Sequence, residues 1–155
     1  MTTEKTAPFH GFEIIDFHTH PFREAYHNIA SHKDFCGMSE ENTREIYASL
    51  GISKICGSVI TTVKDRFSSP WEKIRYNNDT ALSLRESYGE FYVPGFHIHP
   101  DYPEESIAEI RRMHEKGVRL IGELVPYIDG WDSYARGELA PILTEAGRHC
   151  PKGLR

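Results

Sequence analysis

Gly11-Phe-Glu-Ile-Ile-Asp-Phe17 is the first of four apolar runs from which the fold of this chain can be inferred. The run has no helical period, and His18-Thr-His20-Pro21 follows it at once. We therefore predict a buried β-strand with polar residues just after its end. Comparable apolar runs occupy residues 52–60, 91–96 and 118–125, so the sequence predicts four strands.

A helical pattern follows each of the four predicted strands. The second helix is the best defined, because Ser69-Pro-Trp-Glu72 combines a serine N-cap, a proline at the first helical position and a glutamate three residues after the cap. Gly89 ends this pattern. The other three helices are predicted to begin at Ser39, at Pro103 and near Glu138. Strands and helices that alternate at roughly 30 residues per unit indicate an α/β fold with a parallel sheet.

The length of the chain bounds its architecture. Its 155 residues suffice for one domain but fall short of the roughly 250 residues of a complete (β/α)₈ barrel. We predict a fold of the (β/α)₈ TIM-barrel type, truncated to about its first four βα units over residues 1–147. An irregular tail is predicted over residues 148–155, and the glycine- and aspartate-rich stretch 127–132 is predicted to be a loop.

Charge and cysteine content exclude several classes of protein. The chain has 18 lysine and arginine residues against 23 aspartate and glutamate residues, a formal net charge of −5, without a long basic block. We expect no nucleic-acid partner and no binding to a membrane. The absence of an apolar leader or membrane-length run predicts a cytoplasmic protein. Cys36, Cys56 and Cys150 include no CxxC pair, so neither a disulfide framework nor a cysteine zinc site is indicated.

His18 and His20 are the strongest candidates for metal ligands. Residues i and i+2 of a strand share a face, so both imidazoles are predicted to leave the first strand on one side, with Asp16 aligned behind them. Sites in parallel α/β folds lie at the carboxyl ends of the strands. This spacing therefore predicts that one divalent ion is held from one rigid edge.

Glu123 is the third predicted metal ligand. It is a carboxylate inside the otherwise apolar run Leu120-Ile-Gly-Glu-Leu-Val125. A buried ionised glutamate is costly unless it is paired or bound to a metal, and Gly122 beside it allows close approach. An outward-facing position at the sheet edge is the alternative interpretation.

His97 and His99 repeat the HxH spacing at the end of the third predicted strand. We predict that they contact substrate. A second metal site, a general acid or base role and a purely structural role in bonding loop carbonyls are all compatible with the same pattern. The sequence contains no GxGxxG, P-loop, GxSxG or HExxH motif that would indicate another chemistry.

Three stretches of the chain, taken together, are similar to one enzyme family. They are Ile14-Ile-Asp-Phe-His18-Thr-His20-Pro21, Val93-Pro-Gly-Phe-His-Ile-His-Pro100 and Gly117-Val-Arg-Leu-Ile-Gly-Glu-Leu124. They resemble the amidohydrolase superfamily of metal-dependent hydrolases, and the Gly-Glu pair of the third is similar to its TatD-like branch. The resemblance extends to about Ala146 and implies the N-terminal portion of a (β/α)₈ barrel. The family's two later histidines and its aspartate base would follow strands beyond the fourth.

The resemblance also implies an activity. His18, His20 and Glu123 would hold zinc, with manganese or iron as alternatives, and Glu123 would replace the carboxylated lysine of other branches. The metal would activate water to attack an amide, ester or related bond of a small-molecule substrate. A metal-dependent decarboxylase or other lyase of the same superfamily is one alternative. The other is a catalytically inactive half-barrel, either simply truncated or self-assembling as a homo-oligomer.

Overall fold

A computed structural model describes residues 12–21, 40–61, 67–122, 124–126, 131–135 and 138–149. Within these ranges lie four strands and five α-helices, and each predicted strand is present in shorter form. The strands are β1 (Ile14–Asp16), β2 (Ile52–Gly57), β3 (Tyr92–Phe96) and β4 (Leu120–Ile121).

The helices alternate with the strands. They are α1 (Glu40–Ser49), α2 (Pro70–Tyr88), α3 (Pro103–Glu115), α4 (Trp131–Ala135) and α5 (Leu139–Arg148), with a 3₁₀ turn at Gly89–Phe91. None of the helices in the described ranges has the length and apolar character needed to cross a bilayer.

The four strands form one parallel sheet in the order β1-β2-β3-β4. Each strand pairs with the next one along the chain, so every crossover moves in the same direction. Right-handed crossovers of this kind place the connecting helices on one face of the sheet. The predicted α/β class and parallel order are confirmed, and the sheet curls into a half-barrel.

The core lies between the sheet and the helices in two clusters. One centres on Ile55 and Tyr92 of the sheet and Leu84 of α2. The other joins Phe96 to Met113 of α3 and Ile142 of α5, and these residues are almost fully buried. Burying each of these large side chains stabilises the fold by roughly 2 kcal/mol.

The predicted start of α2 is confirmed. The Ser69 hydroxyl accepts a hydrogen bond from the Glu72 amide at 3.1 Å, and Pro70 occupies the first helical position. The Glu72 carboxylate accepts from the amide and hydroxyl of Ser68 at 2.7 and 2.6 Å. These bonds lower the pKa of Glu72. The result is a firmly anchored helix start.

Three sequence predictions differ from the structure. The strand predicted over 118–125 begins at Leu120, because the Val118 amide bonds the Met113 carbonyl at the end of α3. The loop predicted over 127–132 contains the beginning of α4 at Trp131. The first strand is also less buried than predicted: Ile15 is 44% exposed, since β1 pairs only with β2 among the described strands.

Candidate metal and ligand site

A depression of about 360 Å³ lies at the carboxyl ends of the strands. We call it the strand-end depression. Because residues of both outer strands, β1 and β4, border it, the sheet must curve around it. Its lining consists of Phe17, His18, His20, Gly57, Ser58, Leu120, Ile121 and Gly122.

His18 and His20 border this depression together, as the HxH spacing predicts. Their ring centroids are 5.1 Å apart and their planes are nearly perpendicular. His20 Nδ1 lies 2.9 Å from the Ser58 carbonyl oxygen. Since a carbonyl can only accept, Nδ1 carries the proton and donates it. In the neutral ring the lone pair is therefore on Nε2, the arrangement commonly found in metal-binding histidines.

Thr19, between the two histidines, fastens the motif to β2. Its amide and its hydroxyl both donate to the Cys56 carbonyl, at 3.0 and 3.1 Å. Thr19 is buried, whereas His18 is exposed and His20 is half-buried. The Asp16 carboxylate, which was predicted to lie behind the histidines, accepts from the His18 amide at 3.1 Å. These bonds fix the direction in which both imidazoles leave the sheet.

Gly57 is required for this arrangement. Its φ is +151°, and a Cβ at this position would lie 1.9 Å from the Thr19 carbonyl oxygen. No side chain fits there, so β1 and β2 can approach closely only at a glycine. The apolar pattern of residues 52–60 does not by itself reveal this requirement.

The distance between the two imidazole rings can be compared with that expected for two ligands of one zinc ion. Two histidines on one tetrahedral zinc, with Zn–N bonds of about 2.1 Å, place their ring centroids about 5 Å apart. The observed separation agrees with this value. Within the described ranges no group of three histidine, cysteine, aspartate or glutamate side chains could hold a metal. Glu123, the predicted third ligand, lies outside these ranges, and Gly122 before it lines the strand-end depression.

His97 is buried at the end of β3 and is not part of the depression's described lining. Its Nε2 lies 2.9 Å from the Val59 carbonyl oxygen and donates to it. Its backbone is paired with the Asn78 side chain: the amide of His97 donates to Oδ1 at 2.8 Å, and its carbonyl accepts from Nδ2 at 3.0 Å. His97 is thus held by both its ring and its main chain.

A buried carboxylate completes the network behind His97. Asn78 Nδ2 also donates to Glu109 Oε1 at 2.9 Å, and the Glu109 side chain is fully buried. The Arg112 guanidinium donates two hydrogen bonds to this carboxylate, and Arg75 lies 3.5 Å from it. The bond to Glu109 raises the pKa of Arg112. Because the Glu109 carboxylate is paired in this way, burying its charge costs little free energy. The carboxylate in turn holds the Asn78 amide in place through a hydrogen bond.

His99 occupies a separate, buried environment. Its Nδ1 accepts from the Asp101 amide at 3.1 Å, and its main chain is held at both ends by the Ser106 hydroxyl at 3.0 Å. The rings of Tyr102 and Tyr134 contact it. The structure therefore brings His18 and His20 together at the depression, whereas His97, held by the carbonyl next to the one that holds His20, and His99 are not among its described lining.

Ser58 is a site residue that sequence reasoning did not single out. It lines the strand-end depression, only 1% of its surface is exposed, and its hydroxyl oxygen has no hydrogen-bond partner. Its own carbonyl holds His20. The only signal in the sequence was a hydroxyl-bearing residue beside Gly57 in an apolar run.

Comparisons with protein-family models, curated proteins and solved structures found no match to this chain. The family suggested by His18-Thr-His20 and the Gly122-Glu123 pair therefore stays a prediction. What the structure itself contributes is the sheet, the paired imidazoles and the lined depression at the strand ends.

Proposed function

We propose that this chain is the N-terminal portion of a (β/α)₈ metal-dependent hydrolase of the amidohydrolase type. The observation that carries the proposal is the hydrogen bond from His20 Nδ1 to the Ser58 carbonyl. It sets the ring tautomer in which Nε2 is the nitrogen that binds a metal, and the ring lies 5.1 Å from that of His18, centroid to centroid, at a depression at the carboxyl ends of parallel strands. Two imidazoles and a carboxylate from Glu123 suit zinc, while manganese and iron accept the same ligand types.

Each residue has a separate task in this proposal. A bound divalent ion supplies a Lewis acid that lowers the pKa of water towards neutrality. His18 and His20 hold the ion, and Thr19 keeps their backbone fixed against β2. Pre-positioned ligands avoid the entropic cost of ordering a loop on binding. A small molecule with an amide or ester bond is the substrate class that this chemistry serves.

Zinc titration by calorimetry tests the metal site. We expect one zinc per wild-type chain, loss of binding in the His18→Ala/His20→Ala double variant, and weaker binding in Glu123→Gln. His114→Ala is the matched control, because His114 lies on α3 and stacks on His149 away from the depression. An unchanged zinc stoichiometry in the double variant would contradict the proposal.

Turnover tests the reaction. We expect the zinc-loaded chain to hydrolyse p-nitrophenyl acetate or p-nitroacetanilide, and the double variant to lose this activity. A zinc-loaded chain that hydrolyses neither substrate faster than free zinc would overturn the assignment as a hydrolase and favour the lyase or the inactive half-barrel.

A second candidate role is self-assembly of two half-barrels. The face of the sheet away from the helices exposes apolar side chains: Phe17 is 70% exposed and Val93 is 39% exposed. Val93 and Tyr92 are neighbours in β3 and therefore point to opposite faces of the sheet. Because Tyr92 lies in the core, Val93 lies on the other face. This exposed face favours association with a second copy of the chain.

A further inference from the structure

The Ser58 hydroxyl is an unexplained polar group at the strand-end depression. Its oxygen is buried and has no hydrogen-bond partner in the part of the chain that the structure describes. A buried hydroxyl without a partner costs about 1–3 kcal/mol, so such groups usually have a ligand, a water or a functional reason. The Ser58 main chain, by contrast, is firmly held, because its carbonyl accepts from His20.

No hydrogen bond from the described residues holds the Ser58 hydroxyl in its present position. Rotation about Cα–Cβ is the movement that would turn it towards the depression that Ser58 lines. A ligand that accepts a hydrogen bond from this hydroxyl would satisfy the buried group.

The floor of the depression is apolar and partly made of bare backbone. Gly122 contributes no side chain, and a Cβ there would meet nothing within 4 Å, whereas the corresponding space at Gly57 is filled by the Thr19 carbonyl. Phe17 and Leu120 supply apolar surface. Glycine backbone admits a flat group at close range. Such a floor suits a planar apolar body better than a branched or charged one.

We propose that Ser58 is a ligand-binding residue whose hydroxyl donates to a carbonyl or carboxylate oxygen of a small aromatic ligand. The aromatic ring lies on the floor formed by Gly122, Phe17 and Leu120, and the oxygen end lies beside His20. This inference rests on the proposed function, because the polar end of the ligand then contains the bond that is hydrolysed and lies next to the metal. It names the substrate class as aromatic amides, esters or acids.

Benzoate binding, followed by ligand-observed NMR on the full chain with and without zinc, tests the proposal. We expect benzoate to bind much more tightly than acetate, which lacks the aromatic body. Ser58→Ala should weaken benzoate binding about fivefold to tenfold, the loss of one hydrogen bond to a charged group. Ser53→Ala is the matched control, because Ser53 lies near the start of β2, at the end away from Ser58, and its hydroxyl bonds Glu13 and Ile14.

A thermal melt separates ligand binding from a structural role. Ser58→Ala removes a buried, unpartnered hydroxyl, so its melting temperature should equal or exceed that of the wild type. Benzoate affinity that is equal in Ser58→Ala and wild type, or no better than that of acetate, would overturn the inference. If zinc fails to bind while benzoate still depends on Ser58, the metal proposal fails and the ligand contact stands.

Discussion

His20 and His97 are held by neighbouring carbonyls of one segment but through different ring nitrogens. His20 donates through Nδ1 to Ser58, and His97 donates through Nε2 to Val59. The neutral rings therefore carry their lone pairs on Nε2 and Nδ1 respectively. The two histidines, which look equivalent in the sequence, are prepared for different contacts. His20 has the tautomer of a metal ligand that is supported by a main-chain carbonyl.

Gly57→Ala tests the close approach of β1 and β2. The added Cβ would collide with the Thr19 carbonyl, so β1 must move away and the His18–His20 pair must move with it. We expect a loss of more than about 2 kcal/mol in the free energy of unfolding and weaker zinc binding. Urea unfolding and zinc titration measure the two effects.

Gly147→Ala is the control for this substitution. Gly147 lies inside α5, where a Cβ would meet nothing within 4 Å, so alanine should stabilise the protein by up to about 1 kcal/mol. Equal effects of the two substitutions would show that the close approach at Gly57 is unimportant.

At the scale of elements, β2 holds the strand ends together. The last two carbonyls of β2 accept from Thr19 at Cys56 and from Tyr92 at Gly57, and the two residues that follow it accept from the imidazoles of His20 at Ser58 and His97 at Val59. These side chains come from residues that follow β1, from β3 and from the residue after it. They therefore link neighbouring segments beyond the last backbone hydrogen bonds of the sheet. α2 supports β3 from the other side through Asn78. The site is therefore carried by a rigid edge of the sheet.

Asn78→Ala tests the contact between α2 and β3. The substitution leaves the His97 amide and carbonyl and the buried Glu109 carboxylate without their Asn78 bonds. We expect a loss of about 2–4 kcal/mol, measured by urea unfolding, because buried polar groups lose their partners. Asn77→Ala is the control. The hydrogen bond assigned to the Asn77 side chain is the one that it accepts from the Thr61 amide, so this substitution should lower the free energy of unfolding by about 1 kcal/mol. Similar losses in both variants would contradict a special role for Asn78.

At the scale of the whole molecule, the curled sheet has helices on one face and an apolar surface on the other. β1 and β4 each have one edge that no described strand pairs. A two-fold axis along the barrel axis would bring β4 of each copy beside β1 of the other with all strands parallel. Eight strands give an interior that side chains can fill. Two copies of this chain could therefore cover each other's open faces.

Val93→Glu tests this association. We expect the wild-type chain to sediment as a dimer, and Val93→Glu to sediment as a monomer because a charge then lies on the apolar face. Leu143→Glu is the matched control: Leu143 is 47% exposed, but it lies on α5. A monomeric wild type, or an equal effect of both substitutions, would contradict self-assembly.

Much of the fold follows from local sequence. Alternation of apolar runs with capped helical patterns predicted α/β class, parallel order and the start of α2 at Ser69, because propensity and capping act over a few residues. The i, i+2 geometry of a strand likewise placed His18 and His20 on one side. These features need no knowledge of which segments meet.

The remaining features were decided only by tertiary contacts. The unpartnered Ser58 hydroxyl, the requirement for Gly57 and the Asn78 pairing with His97 arise where segments 19 to 38 residues apart come together. The exposure of β1 likewise depends on its position at the sheet edge. Sequence periodicity specifies which face a residue occupies, whereas its hydrogen-bond partner and the space beside it depend on packing between distant segments.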